Sequence, residues 1–235
     1  MDYLFPPYCA GCNTLGQRFC SDCRKSIIPL FENSVCDVCG TPLTTKKCRS
    51  CLTNKFEFKS VKSWGIYSRS LREAIHSLKF KRNFGLGIEF APDLRQIILK
   101  AGWLPDILVP VPVSKKRKNE RGYNQAEIIA FPLALSLRLA YKPQALSKPA
   151  DTRSQVGLTP LQRFENTRHT FRAEEKLVVN KSILLVDDVT TTGATLNACA
   201  HELLMAGASK VYCITIAKAI LNTDLTDEYP HPISS

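Results

Sequence analysis

The sequence predicts an α/β protein with a mainly parallel sheet, preceded by a small cysteine-rich module. Three observations carry that reading. Eight of the ten cysteines fall within the first 51 residues as four Cys-x-x-Cys pairs: Cys9/Cys12, Cys20/Cys23, Cys36/Cys39 and Cys48/Cys51. From about residue 60 onward, strand-like and helix-like runs alternate. One of them, Ile183-Leu184-Leu185-Val186, is apolar throughout and suits a central strand buried on both faces. The expected division is a module over 1–55, an α/β domain over 56–220 and a disordered polar tail over 221–235.

Taken in order, residues 56–63 read as a connector and 61–67 as a strand. Residues 70–81 read as a helix, with Leu71, Ile75, Leu78 and Phe80 at helical spacing. Ser70 and Glu73 form a capping-box pattern at its start. A second helix over 86–101 is closed by Gly102, and a short strand over 106–113 is ended by its prolines. A basic run follows (Lys115, Lys116, Arg117, Lys118, Arg121), then a helix from Asn124 carrying Ile128, Ile129, Leu133 and Leu137. Pro132 predicts a kink or break in that helix. Residues 141–172 are the least regular, with a mobile loop expected over 151–157 and a helical turn over 160–166. Residues 176–189 suggest a hairpin or paired strand, 194–206 a helix stopped by Gly207, and 210–217 a further strand.

Composition bounds the function. At 235 residues, the chain accommodates one sizeable domain plus an accessory module. A charged fraction of 23% and a hydrophobic fraction of 44% exclude a wholly disordered protein. No apolar run reaches the roughly 18–20 residues of a membrane helix. The opening Met1 to Pro7 lacks the basic and apolar parts of a secretory signal, so the cytoplasm is the expected location. The formal charge is +11, and about +7 after eight thiolates and two zinc ions are counted, so polyanions or phosphorylated ligands are attracted.

The paired cysteines admit a disulfide scaffold, a redox dithiol or a structural zinc module. A reducing location disfavours disulfides, and a redox pair needs no fourfold repetition. Zn²⁺ is therefore expected, with no open coordination position. Short gaps favour two sequential sites, Cys9/Cys12/Cys20/Cys23 and Cys36/Cys39/Cys48/Cys51; a cross-braced pairing is the alternative. So small a segment has few apolar residues to bury, and the metal must supply much of its folding free energy. Cys199 and Cys213 stand alone in apolar surroundings and read as core residues. His76, His169 and His201 form no ligand-like pair, and Trp64 and Phe80 read as packing aromatics.

The chemistry is expected in residues 183–195, where the apolar strand runs into Asp187 and Asp188, then four hydroxyl residues around Gly193, then a helix. Thr191, Thr192, Gly193, Ala194 and Thr195 can turn backbone N–H groups, hydroxyls and a helix N-terminus toward one anion. Gly193 permits a positive φ there. Two acids beside a phosphate cradle repel a bare polyphosphate but suit a vicinal diol, or a divalent cation attached to it. Phosphate on one side and diol on the other describe a ribose 5-phosphate.

These residues resemble the thirteen-residue phosphoribosyl-pyrophosphate (PRPP) motif of type I phosphoribosyltransferases. The four Cys-x-x-Cys pairs, Val109-Pro110-Val111-Pro112, Arg121-Gly122-Tyr123-Asn124-Gln125 and the late Arg163…Asn166 segment extend the resemblance to the ComF family across about residues 1–218. That family combines a double zinc ribbon with a type I phosphoribosyltransferase-like fold and is linked to natural competence. The resemblance implies that Asp187 and Asp188 contact the ribose hydroxyls with Mg²⁺ nearby, and that Thr191 to Thr195 hold the 5-phosphate. It also implies that Val111, Pro112, Val113 and Ser114 form a pyrophosphate loop and that residues 151–158 close over the site. Arg121 assists the pyrophosphate on this reading, and Asn124 serves the site or caps the following helix. Thr191 stands where some relatives carry an acid, so catalysis rests on electrostatic stabilisation rather than a base from this loop. The implied partners are PRPP and competence helicase or DNA-processing proteins, with dimers common in the fold. The competing reading is a non-catalytic single-stranded DNA binder or a PRPP-sensing regulator. The run Lys115 to Arg121 discriminates poorly: it suits pyrophosphate or substrate steering first, then nucleic acid or mere solvation.

Overall fold

The apolar runs of the second module become strands in the computed structural model, which describes residues 6–30, 35–43, 48–149 and 170–220. They are β1 (Ser60–Ile66), β2 (Ile107–Pro110), β3 (Ala140–Tyr141), the short antiparallel pair β4 (Leu146–Ser147) and β5 (Arg172–Ala173), β6 (Ser182–Thr190) and β7 (Lys210–Lys218). The main sheet runs β1-β7-β6-β2-β3, and every neighbouring pair is parallel. In register, Leu185 of β6 lies opposite Val109 on one side and Cys213 on the other.

Helices among the described residues are α1 (Ser21–Lys25), α2 (Arg49–Thr53), α3 (Arg69–Phe80), α4 (Gly85–Lys100), α5 (Lys115–Arg121), α6 (Gln125–Leu137), α7 (Glu175–Val178) and α8 (Ala194–Met205). The strand period of two sorts the centre of the sheet between two apolar layers. Leu184, Val186 and Ile214 join Leu71, Ile75, Phe90 and Ile129 from α3, α4 and α6. Ile183, Leu185 and Cys213 join Leu196, Cys199 and Leu203 from α8 on the other face. Burial on both faces is why β6 reads as an unbroken apolar run. Both lone cysteines are buried core residues, as expected.

The cysteine-rich segment is not held by metal alone. Phe19 is inserted edge-on to Phe90, with ring centroids 5.4 Å apart, and meets Trp64 at 6.3 Å. Cys9 and Cys23 belong to the same apolar cluster, and Arg24 pairs with Asp93 of α4. The second knuckle docks on β1, where Val61 N donates to Val38 O at 2.8 Å and Ser60 Oγ donates to Asp37 O.

At four places the structure corrects or sharpens the sequence reading. The residue preceding α3 is Ser68, and Ser70 lies inside the helix, its hydroxyl donating to Cys23 O at 2.8 Å; the capping box does not form. Docking of the zinc knuckle claims the hydroxyl that the cap would have used. The basic run is itself a helix, α5, capped by Ser114 Oγ, which accepts from Arg117 N at 3.3 Å. Residues 176–189 form no hairpin: α7 is a single turn, and β6 is paired in parallel on both sides. Pro132 does not break α6. A proline lacks the N–H that the carbonyl four residues earlier, Ile128 O, requires. That carbonyl instead faces Gly87 of α4, where a Cβ would collide with it. The expectations for 151–158, 160–166 and 221–235 lie outside the described residues. Among the described residues no helix is long and apolar enough to cross a membrane.

Candidate functional site

The eight paired cysteines gather into two clusters, Cys9/Cys12/Cys20/Cys23 and Cys36/Cys39/Cys48/Cys51, the sulfurs of each within 4.8 Å of one another. The pairing is sequential, not cross-braced. Tetrahedral zinc with Zn–S bonds of about 2.3 Å requires sulfur separations of about 3.8 Å. Cys12 and Cys20 lie 3.6 Å apart, as do Cys36 and Cys51, and Cys39 and Cys48 lie 3.4 Å apart, so both clusters fit structural zinc. The N–H groups of Gly11 and Cys20 donate to Cys9 Sγ at 3.4 and 3.3 Å, which stabilises a thiolate there. The Thr14 hydroxyl lowers the exposed Cys12 thiol to about 6. Burial raises the Cys39 thiol, but hydrogen bonds from Thr41 overcome this and bring it to about 7. Four sulfur ligands leave no position for a reactant.

The second site follows from topology. The chain leaves β2 toward the sheet edge at β3, and leaves β6 in the opposite direction, toward β7. Ligands of parallel α/β sheets bind where strand order reverses, beyond the carboxyl ends of the strands. Here those ends carry Val111 to Ser114 after β2, and Asp187 to Thr195 along and after the end of β6. Val111 N donates to Val186 O at 2.9 Å, zipping the two segments together at the base of the crevice.

Asp187 and Asp188 are both buried. Asp188 N donates to Asp187 Oδ1 at 2.8 Å. Desolvation, then the neighbouring Asp188 carboxylate, pushes the Asp187 carboxyl well above the ordinary range, against the Asp188 N–H bond and the Lys79 charge. Lys79, in the last turn of α3, brings Nζ to 2.5 Å from Asp188 Oδ2. On the other side Gln125 Nε2 donates to Asp188 Oδ1 at 3.5 Å, and Arg121 donates to Gln125 Oε1 at 2.7 Å. The Arg121 guanidinium also covers the exposed Phe80 ring, 5.1 Å from its centroid. The buried acid pair, with the Asp187 carboxyl raised and Asp188 paired to Lys79, presents hard oxygens that suit hydroxyl donors or a hard cation.

Beside the acids, Gly193 precedes α8 with φ of 83°, in the left-handed region that only glycine enters cheaply. The position is also tight, since a Cβ would stand 3.3 Å from Phe56 Cε1. Ala194 N donates to Thr192 Oγ1 at 3.3 Å, while Thr191, Thr192, Ala194 and Thr195 present themselves to solvent at the helix N-terminus. Of the first loop, Val111 is buried and Pro112, Val113 and Ser114 are half-buried.

This arrangement agrees with family comparison. A double zinc ribbon model matches residues 1–52, and a phosphoribosyl transferase domain model matches residues 88–231. The "DNA utilization protein YhgH" of Salmonella typhimurium is 32% identical over 204 residues, covering 83% of this chain and 88% of that protein. The chain is a phosphoribosyltransferase-family protein of the ComF type. "Competence protein F" of Haemophilus influenzae is 29% identical over 213 residues, covering 85% of this chain and 90% of that one. Among solved structures, an adenine phosphoribosyltransferase from Thermoanaerobacter pseudethanolicus is 16% identical with a TM-score of 0.39, covering 63% of this chain and 83% of that one.

In this ComF-type chain, each residue of Arg121-Gly122-Tyr123-Asn124-Gln125 has a visible task. Arg121 and Gln125 extend from Asp188 as described, and Gly122 ends α5. Tyr123 OH donates to Leu78 O, fastening the turn that carries Lys79. Asn124 caps α6, its Oδ1 accepting from Ala126 N at 3.0 Å, while its Nδ2 donates to Val111 O at 3.0 Å. Two residues escaped the sequence reading. Lys79 sits four positions after Ile75, on the apolar face of α3, and a lysine out of place there was the available signal. Lys218 ends β7 and is buried, with Nζ donating to Thr191 O at 3.1 Å and to Cys39 O at 3.3 Å. Nothing local in the sequence marks it.

Proposed function

We propose that the crevice between β2 and β6 binds PRPP with Mg²⁺, and that the protein is a cytoplasmic phosphoribosyltransferase serving the uptake or use of DNA. The observation that carries this reading is the adjacency of the buried Asp187–Asp188 pair to the Gly193 turn at the head of α8. The printed names of the relatives supply the DNA context, and sulfur-only metal sites suit a reducing compartment. On this reading Asp187 and Asp188 accept hydrogen bonds from the ribose 2- and 3-hydroxyls. Backbone N–H groups and hydroxyls of Thr191 to Thr195 donate to the 5-phosphate, each such bond contributing about 1.5–3 kcal/mol. Val111 to Ser114 and Arg121 face the pyrophosphate. Mg²⁺ bound with PRPP supplies neutralisation of the leaving pyrophosphate.

The bond from ribose C1 to the pyrophosphate oxygen breaks, a bond from C1 to an acceptor nitrogen forms, and the acceptor's proton passes to solvent. Positive charge gathers on the ribose as pyrophosphate leaves, and the Asp188 carboxylate stabilises it. Titration calorimetry with PRPP and Mg²⁺ tests binding, and pyrophosphate release against a panel of bases and amines tests turnover. Asp187→Ala/Asp188→Ala is expected to abolish the binding heat; undiminished heat in that variant overturns the reading.

A second reading is favoured by α5. Its residues Lys115, Lys116, Arg117 and Lys118 are all exposed and ring the helix, and Arg82 approaches its end at Gly122, a basic surface able to track a single-stranded nucleic acid. Binding of that kind weakens steeply with salt and is indifferent to the two aspartates.

A further inference from the structure

We infer that Lys218 is a positioning residue that couples the second zinc knuckle to the phosphate-binding turn, so that zinc and sugar phosphate bind cooperatively. The inference rests on the phosphoribosyl reading of the crevice and adds a regulatory link to it. The Lys218 ammonium is buried and donates at once to Thr191 O, in the turn, and to Cys39 O, the backbone carbonyl of a zinc-ligand residue. In a trans peptide the C=O and the following N–H point in opposite directions. Holding the Thr191 carbonyl against Lys218 therefore turns the Thr192 N–H away from the lysine, toward the anion. The same hydrogen bond polarises that peptide and strengthens its N–H as a donor.

The knuckle reaches the turn by a second route. Residues 56 and 57 link it to the sheet, and there Phe56 abuts Gly193 while Glu57 N donates to Asn197 Oδ1 at 2.6 Å on the first turn of α8. Loss of the second zinc releases Cys39 from its sulfur anchor, and its carbonyl with it. Lys218 then loses a partner, and the Thr191–Thr192 peptide is free to rotate. Linkage requires the converse: a bound sugar phosphate raises zinc affinity by the same factor.

The test uses the full-length, zinc-loaded chain and ribose 5-phosphate, which binds without chemistry. Calorimetry gives its affinity for wild type, Lys218→Met and Lys218→Arg. Equilibrium competition with a chelator gives zinc affinity with and without saturating ribose 5-phosphate. Lys218→Met is expected to weaken ribose 5-phosphate about tenfold while retaining both zinc ions, and Lys218→Arg to stay within about threefold of wild type. In wild type, ribose 5-phosphate is expected to tighten one of the two zinc equivalents about tenfold, and in Lys218→Met neither. Unchanged zinc affinity in a wild-type chain that does bind ribose 5-phosphate overturns the coupling, whatever the variants do. A wild-type chain that takes up no ribose 5-phosphate overturns the phosphoribosyl reading as well.

Discussion

Lys79 and Asp188 form an ion pair of 2.5 Å across the mouth of the crevice, between the last turn of α3 and the end of β6. The carboxylate is almost wholly enclosed, whereas the lysine keeps 22% of its side chain exposed. Removing one partner of an enclosed pair leaves the other charge without compensation. Lys79→Met is thus expected to lower ribose 5-phosphate affinity about tenfold without divalent cation, with Mg²⁺ restoring most of it. Wild type, whose lysine already supplies a positive charge, should respond less to Mg²⁺. Calorimetry at matched ionic strength, with and without Mg²⁺, measures both; equal Mg²⁺ dependence in the two chains rules the account out.

Asp187 makes a stability prediction with a definite sign. Its carboxyl is raised in the folded chain, by burial first and by Asp188 second. Below the ordinary carboxylate range both folded and unfolded chains hold the proton, and burial of the neutral group costs least. As pH rises through that range the unfolded chain ionises while the folded chain keeps its proton, so stability falls. Asp187→Asn removes this loss. The variant is expected to melt about 3 °C or more above wild type at pH 8 and to converge on it near pH 4, while losing ribose 5-phosphate binding. Thermal melts across that pH range, compared as differences, check the sign.

Phe19 makes the zinc module part of the main core. It packs against both Trp64 and Phe90, in one cluster with Cys9 and Cys23. Truncation of a buried phenylalanine costs about 3–5 kcal/mol. Phe19→Ala should accordingly lower the melting temperature of the whole chain by about 10 °C. Stripping zinc with a strong chelator should destabilise the sheet as well as the cysteine segment. Calorimetry resolving two independent transitions, with the second unmoved by chelator, contradicts that expectation.

How much of this was legible in the sequence follows the range of each signal. Ile183 to Val186 announced a central strand because burial on both faces forces an apolar run, and the Cys-x-x-Cys pairs announced two metal sites because four sulfurs need close spacing. Asp187 to Thr195 were legible as a candidate site because the acids, the glycine turn and the helix start sit within one strand-turn-helix unit. Lys79 and Lys218 were not, since each reaches its partners across tertiary distance, Lys79 over more than a hundred residues and Lys218 back to Cys39. Ser70 misled for the same reason. Its local pattern is that of a cap, but the carbonyl of Cys23 takes its hydroxyl.

Pro132 misled too, and its resolution gives the last prediction. Within a helix the residue predicts a break, because Ile128 O loses its donor. The structure keeps α6 intact and packs that carbonyl onto Gly87 of α4. A Cβ at Gly87 would collide with that carbonyl oxygen, so the close approach requires that no side chain intervene. Gly87→Ala inserts one, and α4 and α6 must separate. Overpacking of this kind costs about 1–3 kcal/mol. Urea unfolding of Gly87→Ala should show a lower midpoint with an unchanged slope. Because α6 begins at Gln125, the shift also loosens the hydrogen bond to Asp188. A several-fold loss of ribose 5-phosphate affinity is expected alongside the loss of stability, even though Gly87 is remote in sequence from both site loops.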